Sequence, residues 1–194
     1  MVCDRAGHCT NRWSPRGGRR AHSPSDHLDG LPGGEGCSHP GIAMTADVVS
    51  VGRISVDLYA REPHAGFEHQ QSFHKSVGGS PTNVAVAAAR LGHQVTLVTK
   101  VGDDDFGDYI RGRLEGWGVD TRYVGSVAGA QTPLAFAALT PPETPTVMFY
   151  RGAAAPDTQL VASDVPDELI TTAKILWISQ GSLSQGSTPE ACLT

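Results

Sequence analysis

The strongest constraint on this chain is a pair of adjacent glycines set just ahead of a helix of small residues. Ser76-Val77-Gly78-Gly79-Ser80-Pro81-Thr82-Asn83 runs straight into Val84-Ala85-Val86-Ala87-Ala88-Ala89-Arg90-Leu91-Gly92. Two glycines let a backbone approach a ligand with no Cβ in the way. The helix that follows turns its unpaired amides and positive dipole end toward the same place. A polar, oxygen-rich small molecule suits such a grip. Val84, Ala87, Ala88 and Leu91 recur at i, i+3, i+4 and i+7, which predicts an apolar stripe, and the alanines predict close packing on a sheet. Gly92 is placed to stop the helix in the left-handed conformation.

The segments on either side predict that sheet. Asp47-Val48-Val49-Ser50-Val51-Gly52 is a short apolar run ending in glycine, as a buried parallel strand would be. Residues 95–101 form a β-branched strand, and Gly102-Asp103-Asp104-Asp105 supplies a turn and an N-cap. Phe106, Tyr109, Ile110, Leu114 and Trp117 then form the stripe of a second helix that Gly118 ends. Strand, loop, helix, strand, helix implies right-handed crossovers and a parallel sheet with helices on both faces. Two extended runs, 132–140 and 146–151, are joined by Pro141-Pro142-Glu143-Thr144-Pro145 and read as a small antiparallel lid. Such a layer can exclude water from a site below it. Lys174-Ile175-Leu176-Trp177-Ile178-Ser179 returns to the buried-strand pattern.

Composition divides the chain in two. The 23 Gly and 13 Pro are unevenly spread, and residues 1–43 show almost no apolar periodicity. That stretch cannot bury enough surface to offset its ordering entropy, so it is expected to be a disordered extension, with Met44 a candidate natural start and the folded portion spanning 44–194. A net charge of −5 argues against a nucleic-acid partner, and no apolar run reaches the roughly eighteen residues of a membrane span. Cys3, Cys9 and Cys37 lie where there is nothing folded to staple and Cys192 lies near the end, which favours a reducing cytoplasm. Cys3, His8, Cys9 and His22 match no standard zinc spacing, and no metal site is expected.

Gly78-Gly79-Ser80-Pro81-Thr82-Asn83, the spacing through Val86 and Leu91 to Gly92, and the nine residues from there to Gly102 together resemble the N-terminal signature of the ribokinase-like (PfkB) carbohydrate kinases. Val51-Gly52-Arg53-Ile54-Ser55-Val56-Asp57 is similar to their first strand and substrate aspartate. Val101-Gly102-Asp103-Asp104-Asp105-Phe106-Gly107 is similar to their second strand-helix junction. Within the family, Gly52 to Tyr59 and Phe149-Tyr150-Arg151 look most like the sugar-acid kinases of inositol breakdown. The resemblance covers roughly residues 47–190.

The resemblance implies a ribokinase-like α/β fold and transfer of the ATP γ-phosphoryl group, with Mg2+, to a primary hydroxyl of a sugar or sugar acid. It places Asp57 at the end of the first strand against substrate hydroxyls, and Gly78 and Gly79 where the sugar meets backbone. Asn83 offers its amide, Phe149 a cover, with Phe136 beside it, and Arg151 a fork for the carboxylate. It also implies pairing of two copies through the lid strands. The catalytic aspartate and most of the nucleotide site belong to a Gly-Ala-Gly-Asp stretch that these 194 residues do not contain. The chain is therefore expected to be the front part of a kinase, inactive alone, with no catalytic residue of its own. Three alternatives stay open: a fructokinase or 2-keto-3-deoxygluconate kinase of the same family, a noncatalytic interaction module, and a Rossmann dehydrogenase. The last lacks the Gly-x-Gly-x-x-Gly it would need after the first strand.

Overall fold

The computed structural model describes residues 2–3, 9–10, 45–64, 66–139 and 143–193. The chain forms two units, 1–42 and 43–194. In the first, Val2–Cys3 pairs antiparallel with Cys9–Thr10. The rest of the stretch expected to lack a fold, with His8, His22 and Cys37, lies outside the described residues.

The second unit is built on a parallel sheet. Its strands are β1 (Val48–Val51), β4 (Val95–Gly102), β5 (Val119–Asp120), β6 (Val124–Val127) and β9 (Ile175–Ile178). β9, β1, β4 and β5 lie side by side, β6 extends the pairing along β4, and every pair is parallel. All four residues of β1 are buried, as a strand covered on both faces requires. Helix α1 (Ser80–Arg90) and α2 (Asp105–Gly116) cover one face, where Leu97, Val101, Ile110 and Leu114 are fully buried. Each such side chain contributes about 1.5–3 kcal/mol on removal from water. On the other face Val49, Val51 and Val98 pack with Leu160, with Leu169 of α3 (Asp167–Thr172) and with Ala191 of α4 (Thr188–Leu193).

The lid is larger than the expected hairpin and is a mixed sheet. β7 (Leu134–Ala138) and β8 (Thr146–Tyr150) form the antiparallel pair, and β2 (Ser55–Ala60) and β3 (Phe73–Gly78) add two strands in the order β8-β7-β2-β3. β2 and β7 run parallel. A parallel pair needs a long crossover, and here β3, α1, β4 and α2 all intervene. Asp57 therefore lies within a lid strand, not at the end of the first core strand. The chain breaks between β1 and β2 because its pattern changes. The continuous burial of β1 gives way to Ser55, Asp57 and Tyr59 alternating with Val56, Leu58 and Ala60, the signature of a sheet with one polar face.

Helix α1 is rotated from its expected orientation. It buries Pro81, Thr82 and Ala85, whereas Leu91 is 78% exposed. Val84, Ala87, Ala88 and Leu91 instead line an open apolar groove with His93 and Ile175. Polar anchoring decided the orientation: the Ser50 hydroxyl donates to the Pro81 carbonyl at 2.8 Å, and the Thr82 hydroxyl donates to the Arg53 carbonyl at 3.3 Å. Both bonds tie the helix start to the carboxyl end of β1, which brings the glycine pair to the mouth of the sheet.

Candidate active site

Ligands of open α/β sheets settle beyond the carboxyl ends of the strands, and there the lid, the glycine pair and the start of α1 meet. The register of the lid puts Asp57 opposite Ser76 on one side and Ala135 on the other, with Ala135 opposite Phe149. Alternation along the strands then gives Ser55, Asp57, Tyr59 and Phe149 one common face. The Ser55 hydroxyl donates to Asp57 Oδ1 at 2.8 Å and the Tyr59 hydroxyl to Oδ2 at 3.3 Å. Burial, and then the charge and hydrogen bond of Asp57, push the Tyr59 phenol above its ordinary range, so it keeps its proton and remains a donor.

The glycines are dictated by this geometry. A Cβ at Gly78 would lie 2.0 Å from Asp57 Oδ2, so only glycine leaves the carboxylate its place. Gly79 has φ +107, and a Cβ there would lie 2.3 Å from the Arg53 carbonyl oxygen. Gly79 is also the N-cap of α1. It provides no side-chain cap, and the first turn carries no acidic residue. Asn83 lies in that first turn; its amide N–H donates to the Gly79 carbonyl at 2.8 Å and its side chain is exposed.

Two arginines frame the crevice in contrasting ways. Arg151 follows β8, and its Nε and Nη2 donate to Asp157 at 3.1 and 2.9 Å, while Nη1 donates to Gln185 at 3.2 Å. The Asp157 side chain is fully buried, so the pair is a structural clamp that takes up most of the fork. Arg151 still lines an open cavity with Phe149, Gln131 and Gln159. Arg53, in the loop between β1 and β2, places its guanidinium carbon 4.6 Å above the centre of the Phe149 ring. Its buried Nε has no hydrogen-bond partner among the described residues.

The structure thus brings together Asp57, Gly78, Gly79 and, through Arg53, Phe149. Asn83 is one helical turn away, and Arg151 faces the neighbouring cavity with its fork engaged. Phe136 lies on the opposite lid face, stacked edge-on with Phe73 and Tyr150. Sequence reasoning missed Ser55, Tyr59, Arg53 and Asp157. The period-two alternation around Asp57 carried the signal for the first two. Nothing local marks Arg53 as unpaired or Asp157 as the partner of Arg151. Among the described residues no three His, Cys, Asp or Glu side chains gather as a metal ion would need.

Fold and site together define a class: an α/β protein with a lidded crevice at the strand ends. The family follows from comparison with known proteins. The family model described as pfkB family carbohydrate kinase matches residues 45–194, and the chain belongs to that family. A 5-dehydro-2-deoxygluconokinase of Bacillus anthracis is 38% identical over 146 residues, 75% of this chain and 44% of that protein. A sugar kinase of Pyrococcus horikoshii, solved in complex with ATP, superposes with TM-score 0.68 at 28% identity over 75% of this chain and 47% of that one. A fructokinase of Xylella fastidiosa superposes with TM-score 0.66 at 30% identity, over 75% of this chain and 44% of that one. The chain spans less than half the length of these relatives.

Proposed function

We propose that this chain supplies the acceptor side of a sugar-acid kinase, with 5-dehydro-2-deoxygluconate as the acceptor and its 6-hydroxyl as the group phosphorylated. The observation that carries this reading is the Asp57 carboxylate, oriented by Ser55 and Tyr59 and set against Gly78, whose missing Cβ keeps its space open. A carboxylate with its remaining lone pairs free accepts hydrogen bonds from neighbouring sugar hydroxyls. Gly78 and Gly79 let the sugar reach main chain, Asn83 offers donor and acceptor from the first turn of α1, Phe149 covers one side, and Arg151 closes the far rim. Support for an acidic acceptor comes from Arg53, which enters none of the ion pairs of the described residues, and from the name of the Bacillus relative.

ATP is the donor in this reading: its γ-phosphoryl group forms a bond to the acceptor oxygen as the hydroxyl proton leaves and ADP departs. No described residue is assigned to ATP or to Mg2+: no three metal-ligating side chains gather among them, and the sequence has no Gly-x-x-x-x-Gly-Lys-Ser/Thr run. The Gly-Ala-Gly-Asp run that carries the base in resembling kinases does not occur in the 194 residues. For the chain by itself we therefore propose acceptor binding without measurable phosphorylation. The neutral-sugar reading, a fructokinase, shares the glycine grip and differs in having no charge to meet the arginines. Calorimetric titration of the chain with 5-dehydro-2-deoxygluconate and with fructose decides. Tighter binding of the acid, lost roughly tenfold or more in Asp57→Asn, is expected, since hydrogen bonds to charged groups contribute about 1.5–3 kcal/mol. Equal affinity for the two sugars would favour the fructokinase, and no binding of either would leave a noncatalytic module.

A further inference from the structure

We infer that Arg53 is the residue that meets the carboxylate of the acceptor and so selects sugar acids over neutral sugars. This rests on the acceptor-site reading above and departs from the expectation that Arg151 has the role. Three observations on separate elements converge on it. Arg53 lies between the carboxyl end of β1 and the lid, where the Thr82 hydroxyl donates to its carbonyl at 3.3 Å. Its side chain passes beside Gly181 and sets its guanidinium carbon 4.6 Å from the centre of the Phe149 ring, on the lid face shared with Asp57. Yet its buried Nε has no hydrogen-bond partner, and none of the ion pairs among the described residues includes Arg53. A guanidinium set over an aromatic ring and left without an anion is prepared for one that comes from outside the chain.

Arg151 is the contrasting case. Its fork already grips the buried Asp157 and its third nitrogen reaches Gln185, so a ligand carboxylate would compete with a clamp that the fold itself uses. The planar fork of Arg53 suits a carboxylate, whereas a neutral ketose offers only hydroxyls and a carbonyl in its place. The two arginines thus divide the work. Arg151 holds the end of β8, and Arg53 reads the charge of the ligand.

The test is titration of the 194-residue chain and its Arg53→Met, Arg53→Lys and Arg151→Met variants with 5-dehydro-2-deoxygluconate and with fructose, at low and high salt. Arg53→Met is expected to weaken the acid roughly 10- to 100-fold, the range that a lost charge-assisted hydrogen bond produces, and to leave fructose within about twofold. Arg53→Lys is expected to restore part of the acid affinity and its salt dependence, since the charge returns without the fork. An unchanged acid affinity in Arg53→Met, or an equal loss for both sugars, would overturn the assignment, as would loss of the acid preference only in Arg151→Met. Fructose binding by the parent chain without acid binding would defeat this inference and leave a sugar site standing. Binding of neither sugar would remove the site itself. Thermal melts of each variant separate a lost contact from a lost fold.

Discussion

At position 79 the backbone takes φ +107 and a Cβ would meet the Arg53 carbonyl oxygen at 2.3 Å. At position 92 φ is +89 with nothing within 4 Å. Comparing Gly79→Ala with Gly92→Ala therefore separates conformational strain from collision. Both place an L-residue in the left-handed region, costing of order 1–3 kcal/mol, and only the first adds a clash with main chain that cannot move far. Urea denaturation is expected to show Gly79→Ala clearly the less stable of the two. Gly78→Ala acts differently, because its Cβ collides with the Asp57 carboxylate, a side chain able to turn aside. Its loss is expected in sugar affinity more than in stability. The glycine pair was legible in the sequence because the steric demands of glycine are local, whereas Asp57 was singled out only by the resemblance of the run around it to a family motif. Arg53 and Arg151 were not distinguishable there. What separates them is whether an anion stands nearby, and Asp157 reaches Arg151 only once the chain turns back after β8.

At the scale of elements, the two helices that cover the first face show what periodicity can and cannot decide. For α2 the expected stripe holds: Ile110 and Leu114 are fully buried, and Phe106, Tyr109 and Trp117 pack at its margin. Its large apolar side chains have only one way to leave water. Helix α1 is rich in small apolar residues on several faces, so the stripe read from its period pointed to the wrong one, and hydrogen bonds from Ser50 and Thr82 hold it with Pro81, Thr82 and Ala85 inward. The start of α2 carries a testable device. The Asp104 carboxylate accepts from the Gly107 amide at 2.8 Å and from the amide and hydroxyl of Thr132 at 2.8 and 2.7 Å, joining the helix cap to the strand that enters the lid. Burial pushes the Asp104 carboxyl up, but the hydrogen bonds from Thr132 and Gly107 outweigh it and hold the group below its usual range. A lowered folded value means that the stabilisation is complete above the unfolded value of about 3.9 and is lost as pH falls through the lowered one. Asp104→Ala is expected to cost about 0.5–2 kcal/mol near neutrality, the worth of an N-cap. In denaturation series the gap from the parent chain is expected to close as the pH drops below about 4.

For the whole molecule, the strand at the end of the parallel sheet has the largest consequence. β9 pairs with β1 on one side and with no strand on the other among the described residues, and Ile175, Leu176 and Trp177 are 55%, 42% and 41% exposed. An apolar strand edge of this kind is a template for association. The lid offers a second apolar surface, with Met148 at its outer edge and Tyr150 60% exposed beside the stacked Phe73 and Phe136. Pairing of two copies through the lid remains our proposal. Sedimentation velocity over a concentration series is expected to show self-association of the chain. Leu176→Lys is expected to suppress it if the sheet edge drives it, and Tyr150→Asp if the lid does. No helix of the described residues is long and apolar enough to cross a membrane. The order of strands and helices and the family signature were readable along the chain, because turn sterics, hydrophobic period and residue spacing act over a few neighbours. Four lid strands in place of a hairpin, the small inward face of α1, the engagement of Arg151 by Asp157 and the placing of Arg53 over Phe149 emerge only in three dimensions. Those outcomes depend on which distant segments come within hydrogen-bond reach of one another, and packing sets that distance.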